Sequence, residues 1–139
     1  MRTAVDSSVL FDVLLGDPRF GGPSAEAIKA ADAAGSLFVS EIVWAEVRAH
    51  FPADQLFEQA MGLLGIHFDP LSRKSAALAG RLWRESRKVS GAPRNRVVAD
   101  FLIGAHALEQ ADALLTRDHG FYRKHFKGLR VISPSLVPQ

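Results

Sequence analysis

Four of the fifteen acidic residues in this chain stand where ordinary surface charge does not belong. Asp6 follows the apolar, β-prone run Thr3–Val5, and Asp118 follows Ala113-Leu114-Leu115-Thr116 with only Arg117 between. Each therefore emerges at the carboxyl end of a strand, the edge at which open α/β sheets bind ligands. The competing assignments are a helix cap for Asp6 and a plain turn aspartate for Asp118. Glu46 and Asp100 are singled out by helical geometry. With Glu41 at the origin of a wheel, Arg48 lies near ~340° and Glu46 near ~140°, between Ile42 and Val43. Glu41 and Arg48 then share a polar face, Glu41 as a solvated acid, while Glu46 points among residues that should be buried, where a lone carboxylate needs a partner. In the segment 97–111, His106, Glu109 and Gln110 mark a polar face centred near ~175°, and Asp100 falls near ~300°, among Ile103, Gly104, Ala107 and Ala111. For Asp100 the competing assignment is a favourable charge in the first turn of its helix; for Glu46 it is that the face is solvent-exposed.

Two acids at strand ends and two on inward helix faces can share one pocket only if a cation offsets their repulsion. The chain has no cysteine, so any metal is held by oxygen or imidazole. Oxygen donors favour hard ions, and the expected occupant is Mg2+ or Mn2+, which keeps several waters and leaves room for a phosphate. The five histidines, His50, His67, His106, His119 and His125, show no ligand spacing and read as surface or core residues.

A polyanionic substrate also needs cations, and these are unevenly placed. Residues 1–70 hold four Lys/Arg against ten Asp/Glu, whereas residues 71–139 hold thirteen against five. Arg81, Arg84, Arg87, Lys88, Arg94 and Arg96 precede Asp100, and Arg117, Arg123, Lys124 and Lys127 surround Asp118. Both clusters lead toward the acids and are candidate contacts for the phosphates of a polyanion; a solvated helix face is the other assignment for Arg81–Lys88.

The elements that must position these groups alternate. Strand-like stretches fall at Thr3–Val5, Leu37–Ser40, Ile66–Phe68, Ala113–Thr116 and Arg130–Ile132. Helical spacing predicts helices near Ser8–Leu15, Pro23–Ala34, Glu41–His50, Ala53–Leu64, Ser72–Val89 and Val97–Ala111, with a short one after Asp118. Ser40 is placed as an N-cap, and Gly16–Gly22 and Ser90–Pro93 read as loops. The pattern implies a three-layer α/β/α domain with a parallel sheet. The 139 residues suit a single domain, 1–139. No apolar run reaches the roughly 18 to 20 residues of a bilayer span, and Asp6 interrupts the N-terminal stretch, so the expectation is a cytoplasmic protein with no membrane partner. There is no G-x-G-x-x-G, P-loop, H-E-x-x-H or G-x-S-x-G motif to support dinucleotide, nucleotide triphosphate, zincin or serine-hydrolase chemistry.

Val5-Asp6-Ser7-Ser8-Val9-Leu10, the segment Ser40 to Val47 ending Ala45-Glu46-Val47, the run Arg96-Val97-Val98-Ala99-Asp100-Phe101 continuing to Ala107, and Leu114-Leu115-Thr116-Arg117-Asp118 together form a known pattern. In their order and spacing the chain resembles PIN-domain proteins, and among them the VapC-type toxins of bacterial type II toxin–antitoxin pairs. The resemblance covers nearly the whole chain. It implies a five-stranded sheet of order 3-2-1-4-5, with Asp6, Glu46, Asp100 and Asp118 as catalytic, metal-binding acids and Ser7 and Thr116 steadying them through their hydroxyls. It further implies a metal-dependent endoribonuclease, a homodimer, and a VapB-like antitoxin that blocks the acidic pocket, with Phe20, Trp44, Phe51 and Phe57 as candidate contacts or core. Among the RNA-binding candidates are Arg94, Arg96, Arg117, Arg123 and Lys124. The alternative function is a non-catalytic RNA-binding scaffold that kept the fold. One departure stands out: Ser8 occupies a place where many relatives carry asparagine.

Overall fold

The computed structural model describes residues 1–88 and 98–135. Five parallel strands, β1 (Arg2–Val5), β2 (Ser36–Val39), β3 (Ile66–Phe68), β4 (Ala113–Leu115) and β5 (Val131–Ile132), form one sheet in the order β3-β2-β1-β4-β5. Among the described residues seven helices occupy the connections: α1 (Ser7–Leu14), α2 (Gly21–Ala34), α3 (Glu41–Arg48), α4 (Asp54–Leu63), α5 (Arg73–Arg87), α6 (Val98–Gln110) and α7 (His119–His125). The sheet order and the helices on both its faces agree with the architecture expected from the sequence. The predicted start at Val97 and end at Val89, the loop Ser90–Pro93, and the candidates Arg94 and Arg96 lie outside the described residues.

The order places the site. Chain connections leave β1 in one direction toward β2 and β3, and continue on its other side through β4 and β5. The switch point is therefore the gap between the carboxyl ends of β1 and β4, where parallel sheets open a crevice. Register carries this to single residues: Val5 pairs with Leu115, and the ladder extends one step as the Asp6 N–H donates to Leu115 O at 2.9 Å. Beneath the edge, Ala4, Val5, Leu37, Val39, Leu114 and Leu115 are at most 2% exposed, as expected for strands covered on both faces.

Local signals account for the helix starts. Ser40 caps α3 by accepting from Ile42 N at 3.3 Å, and Ser72 caps α5 by accepting from Ser75 N at 3.1 Å. At Gly104 a methyl group would be driven into the Phe126 ring, so glycine is what lets the end of α7 approach α6. Phe126 in turn packs with Phe101, Phe121 and Tyr122, tying α7 to the helix that carries Asp100.

Two expectations give way to tertiary contacts, and one open choice is decided. Glu41 is not simply solvated: its Oε1 accepts from Leu71 N at 2.9 Å and fastens the chain leaving β3. His106 leaves the polar face assigned to it and is only 2% exposed, its Nε2 lying 2.9 Å from Asp69 Oδ2. Phe57, a candidate antitoxin contact, is a core residue, whereas Phe20, Trp44 and Phe51 are half-buried. In each case a neighbour from a distant stretch of chain covers a surface that a helix considered alone would leave open.

Candidate active site at the carboxyl edge of the sheet

Asp6 occupies the N-cap position of α1 by its backbone angles, but its side chain makes no cap hydrogen bond. The carboxylate instead faces β4. Asp6 Oδ2 accepts from Thr116 Oγ1 at 2.7 Å and from Ser8 Oγ at 3.3 Å, while Ser7 Oγ lies 3.5 Å from Oδ1. The cap assignment is thus set aside by geometry, and Ser8 contributes a further hydroxyl to the same acid.

Asp118 follows the same plan. It stands at the N-cap position of α7 without a side-chain cap, and its backbone N–H donates to Thr116 Oγ1 at 3.0 Å. Thr116 therefore accepts from Asp118 and donates to Asp6, linking the ends of two strands through one hydroxyl that is fully buried.

Burial raises the Asp6 pKa above the ordinary carboxylate value, opposed by the hydrogen bonds from Thr116, Ser8 and the Ser7 backbone and assisted by the charge of Asp100. Burial also raises Glu46, and the nearby Asp6 charge adds to the rise; the Ser7 hydroxyl works against it, and Asp100 again contributes. Glu46 of α3 thus senses the charges of Asp6, at the end of β1, and of Asp100 of α6, and Asp6 senses that of Asp100. The Oε1 atom of Glu46 is buried with no hydrogen-bond partner. An acid at that position, short of donors and beside two other acids, is unfavourable for a metal-free chain.

Among the described residues, no three acidic or histidine side chains already stand at the separations of a closed coordination shell. The donor chemistry nevertheless fits a hard divalent cation: the donors are all oxygen, mutually repelling, and one of them is an orphaned buried atom. Asp6, Glu46 and Asp100 are the residues that would hold it, with Asp118 delivered to the same edge by the Thr116 link.

Of the expected RNA contacts, Arg123 and Lys124 are exposed in the last turn of α7. Arg117 is placed differently. Its Nε and Nη2 donate to Asp12 Oδ2 and Oδ1 at 2.7 and 2.9 Å, so the guanidinium is turned inward. Sequence reasoning passed over Asp12, although a signal was present: an acid between Phe11 and Val13 on a largely apolar helix, the same kind of misfit that marked Glu46.

The PIN domain family profile matches residues 3–127, and the chain belongs to this family. Solved structures share its fold at low identity. The structure of VapBC2 from Rickettsia felis bound to a promoter DNA fragment superposes with a TM-score of 0.69 at 17% identity, covering 97% of this chain and 100% of that one. VapBC-1 from nontypeable Haemophilus influenzae gives 0.66 at 19%, covering 96% and 98%, and FitAcB from Neisseria gonorrhoeae gives 0.64 at 22%, covering 95% and 97%. Compared with curated protein sequences, the chain has no match. Among the described residues no helix is long and apolar enough to cross a membrane.

Proposed function

We propose that the chain is a metal-dependent endoribonuclease acting as the toxin of a toxin–antitoxin pair. The observation that carries the reading is Glu46 Oε1, buried and unpartnered while the Asp6 and Asp100 charges act on the same carboxyl, a situation that binding of Mg2+ or Mn2+ would relieve. When bound, such an ion supplies an activated water and charge stabilisation at the phosphate. The protein's own part is positional. Thr116 and Ser8 orient the Asp6 carboxylate, Ser7 lies between Asp6 and Glu46, and the low exposure of Asp6 keeps bulk water from screening the charges.

RNA is proposed to approach over α5 and α7. Gly80, Trp83, Arg84, Arg87 and Lys88 line a cleft of about 480 Å³ on α5, which packs along the Asp100 helix. Trp83, with the Arg87 guanidinium 5.0 Å from its ring centre, offers a face for a base beside cations for the backbone. Arg123 and Lys124 supply further charge on the Asp118 side. A VapB-like antitoxin as partner is supported by the toxin–antitoxin complexes among the structural relatives, and a homodimer and a cytoplasmic location belong to the same reading.

The test is incubation of purified protein with structured RNA and Mg2+ or Mn2+. Cleavage should require the ion and disappear in Asp6→Asn; activity that persists in excess chelator or survives that substitution would sink the mechanism. Metal binding without turnover would instead assign the non-catalytic RNA-binding role.

A further inference from the structure

Arg117 separates Thr116 from Asp118, the two residues through which β4 reaches the acidic edge, yet its side chain runs back to α1. Asp12 there is 2% exposed and both its oxygens are taken: Oδ2 accepts from Arg117 Nε at 2.7 Å and from Ser24 Oγ of α2 at 2.7 Å, and Oδ1 accepts from Arg117 Nη2 at 2.9 Å. The Phe20 ring lies against the guanidinium, 4.2 Å from centroid to Cζ. That ring is itself held, because Asp17 Oδ1 accepts from the backbone N–H groups of Arg19 and Phe20 at 2.9 and 2.7 Å. Asp12 lies five residues after Ser7, the first residue of α1, which carries it about 140° around the helix and about 7.5 Å along it from the end at which Asp6 stands.

We propose that Asp12 and Arg117 are a positioning pair whose role is to present Asp118 to Asp6, Glu46 and Asp100; the inference rests on the metal-site reading above. A forked guanidinium–carboxylate contact fixes orientation as well as distance. Breaking it strands a charge in the interior, which is strongly unfavourable. The 116–118 turn is therefore fastened at both levels: Thr116 to Asp6 at the start of α1, and Arg117 to Asp12 further along it. For Arg117 to swing out toward a phosphate, Asp12 would be left buried and unpaired, and this sets the pair apart from the exposed cations of α5 and α7.

Two variants test the role. Arg117→Lys keeps the charge and loses the fork; the double variant Asp12→Asn with Arg117→Gln removes both charges, so that neither is buried alone. Each is compared with the wild type for thermal midpoint, for Mn2+ affinity by calorimetric titration without RNA, and for kcat and KM on RNA. Mn2+ binding should weaken roughly 10- to 100-fold, and kcat should fall about 100-fold, as for a catalytic group displaced by about 1 Å. KM should stay within about twofold, since substrate contacts are untouched. The double variant should regain the wild-type midpoint without regaining Mn2+ affinity. Recovery of affinity together with stability would reduce the pair to a structural tie and overturn the proposal, as would a raised KM with unchanged Mn2+ affinity, which would make Arg117 an RNA contact. A wild type that binds no Mn2+ refutes the metal-site reading itself, and this proposal with it.

Discussion

Thr116 and Asp6 are 110 residues apart in the chain, and the Thr116 hydroxyl donates to the Asp6 carboxylate at 2.7 Å inside the protein. The same oxygen accepts the backbone N–H of Asp118. One hydroxyl therefore sets both the orientation of a buried acid and the start of the turn that carries another.

Thr116→Val should test this link without changing side-chain shape. Asp6 loses its shortest hydrogen bond and Thr116 can no longer accept from Asp118, so stability should fall by about 1–3 kcal/mol, the scale for a buried polar group left unsatisfied. Thr116→Ser keeps the hydroxyl and should lose much less. Urea denaturation of the metal-free proteins measures the difference, and equal losses for Val and Ser would count against the hydroxyl.

Glu46→Gln should separate stability from activity. It removes a repelling charge from beside Asp6 and Asp100, so the metal-free protein should melt at a higher temperature than the wild type. RNA cleavage should drop to background because a ligand oxygen is lost. A variant that is both less stable and fully active would contradict the electrostatic account.

The raised pKa values of Asp6 and Glu46 predict an unusual pH dependence in chelator. Their folded pKa values exceed the unfolded ones, so the folded chain binds more protons, and their contribution to stability declines as pH rises from the ordinary carboxylate range through the raised values. Asp6→Asn should lack much of this decline. Adding Mn2+ should raise the thermal midpoint of the wild type most at neutral pH and least in acid, where protons compete for the same oxygens. A metal increment independent of pH would argue that the ion binds elsewhere.

Gly104→Ala should perturb the site from a distance. The added methyl meets the Phe126 ring, and overpacking of this kind costs roughly 1–3 kcal/mol. Because Phe126 closes α7 against α6, the shift should also weaken Mn2+ binding. A fully stable Gly104→Ala protein would show that the ring relaxes without strain.

Charge on α5 should be visible in salt dependence. In an Asp6→Asn background that prevents cleavage, removing Arg84 or Arg87 should weaken RNA binding at all sequences and reduce the slope of log affinity against log salt by about 1 each. An unchanged slope would remove that face from the RNA path.

Much of the architecture was readable along the chain because it depends on local periodicity. The runs at Thr3–Val5 and Ala113–Thr116 alternate with helical segments, and parallel strands buried on both faces leave that signature. Element ends shifted by a residue or two, as at α3, predicted to His50 and ending at Arg48, where terminal turns depend on what packs there. Glu46 and Asp100 were legible for a related reason: an acid on an apolar helix face is a local contradiction that any wheel exposes. The order of the strands came from family resemblance, since periodicity alone does not say which strand lies beside which.

What no local pattern contained is the pairing of distant polar atoms. By sequence Arg117 belongs with the cations beside Asp118, and only the folded chain brings Asp12 of α1, itself held by Ser24 of α2, against its guanidinium. Glu41 and His106 likewise looked solvent-facing until Leu71 and Asp69 were folded against them. A hydrophobic period is a property of neighbouring residues, so it survives in one dimension; a hydrogen bond needs two groups within about 3 Å at a set angle, and that is specified only when separate stretches are brought together in space.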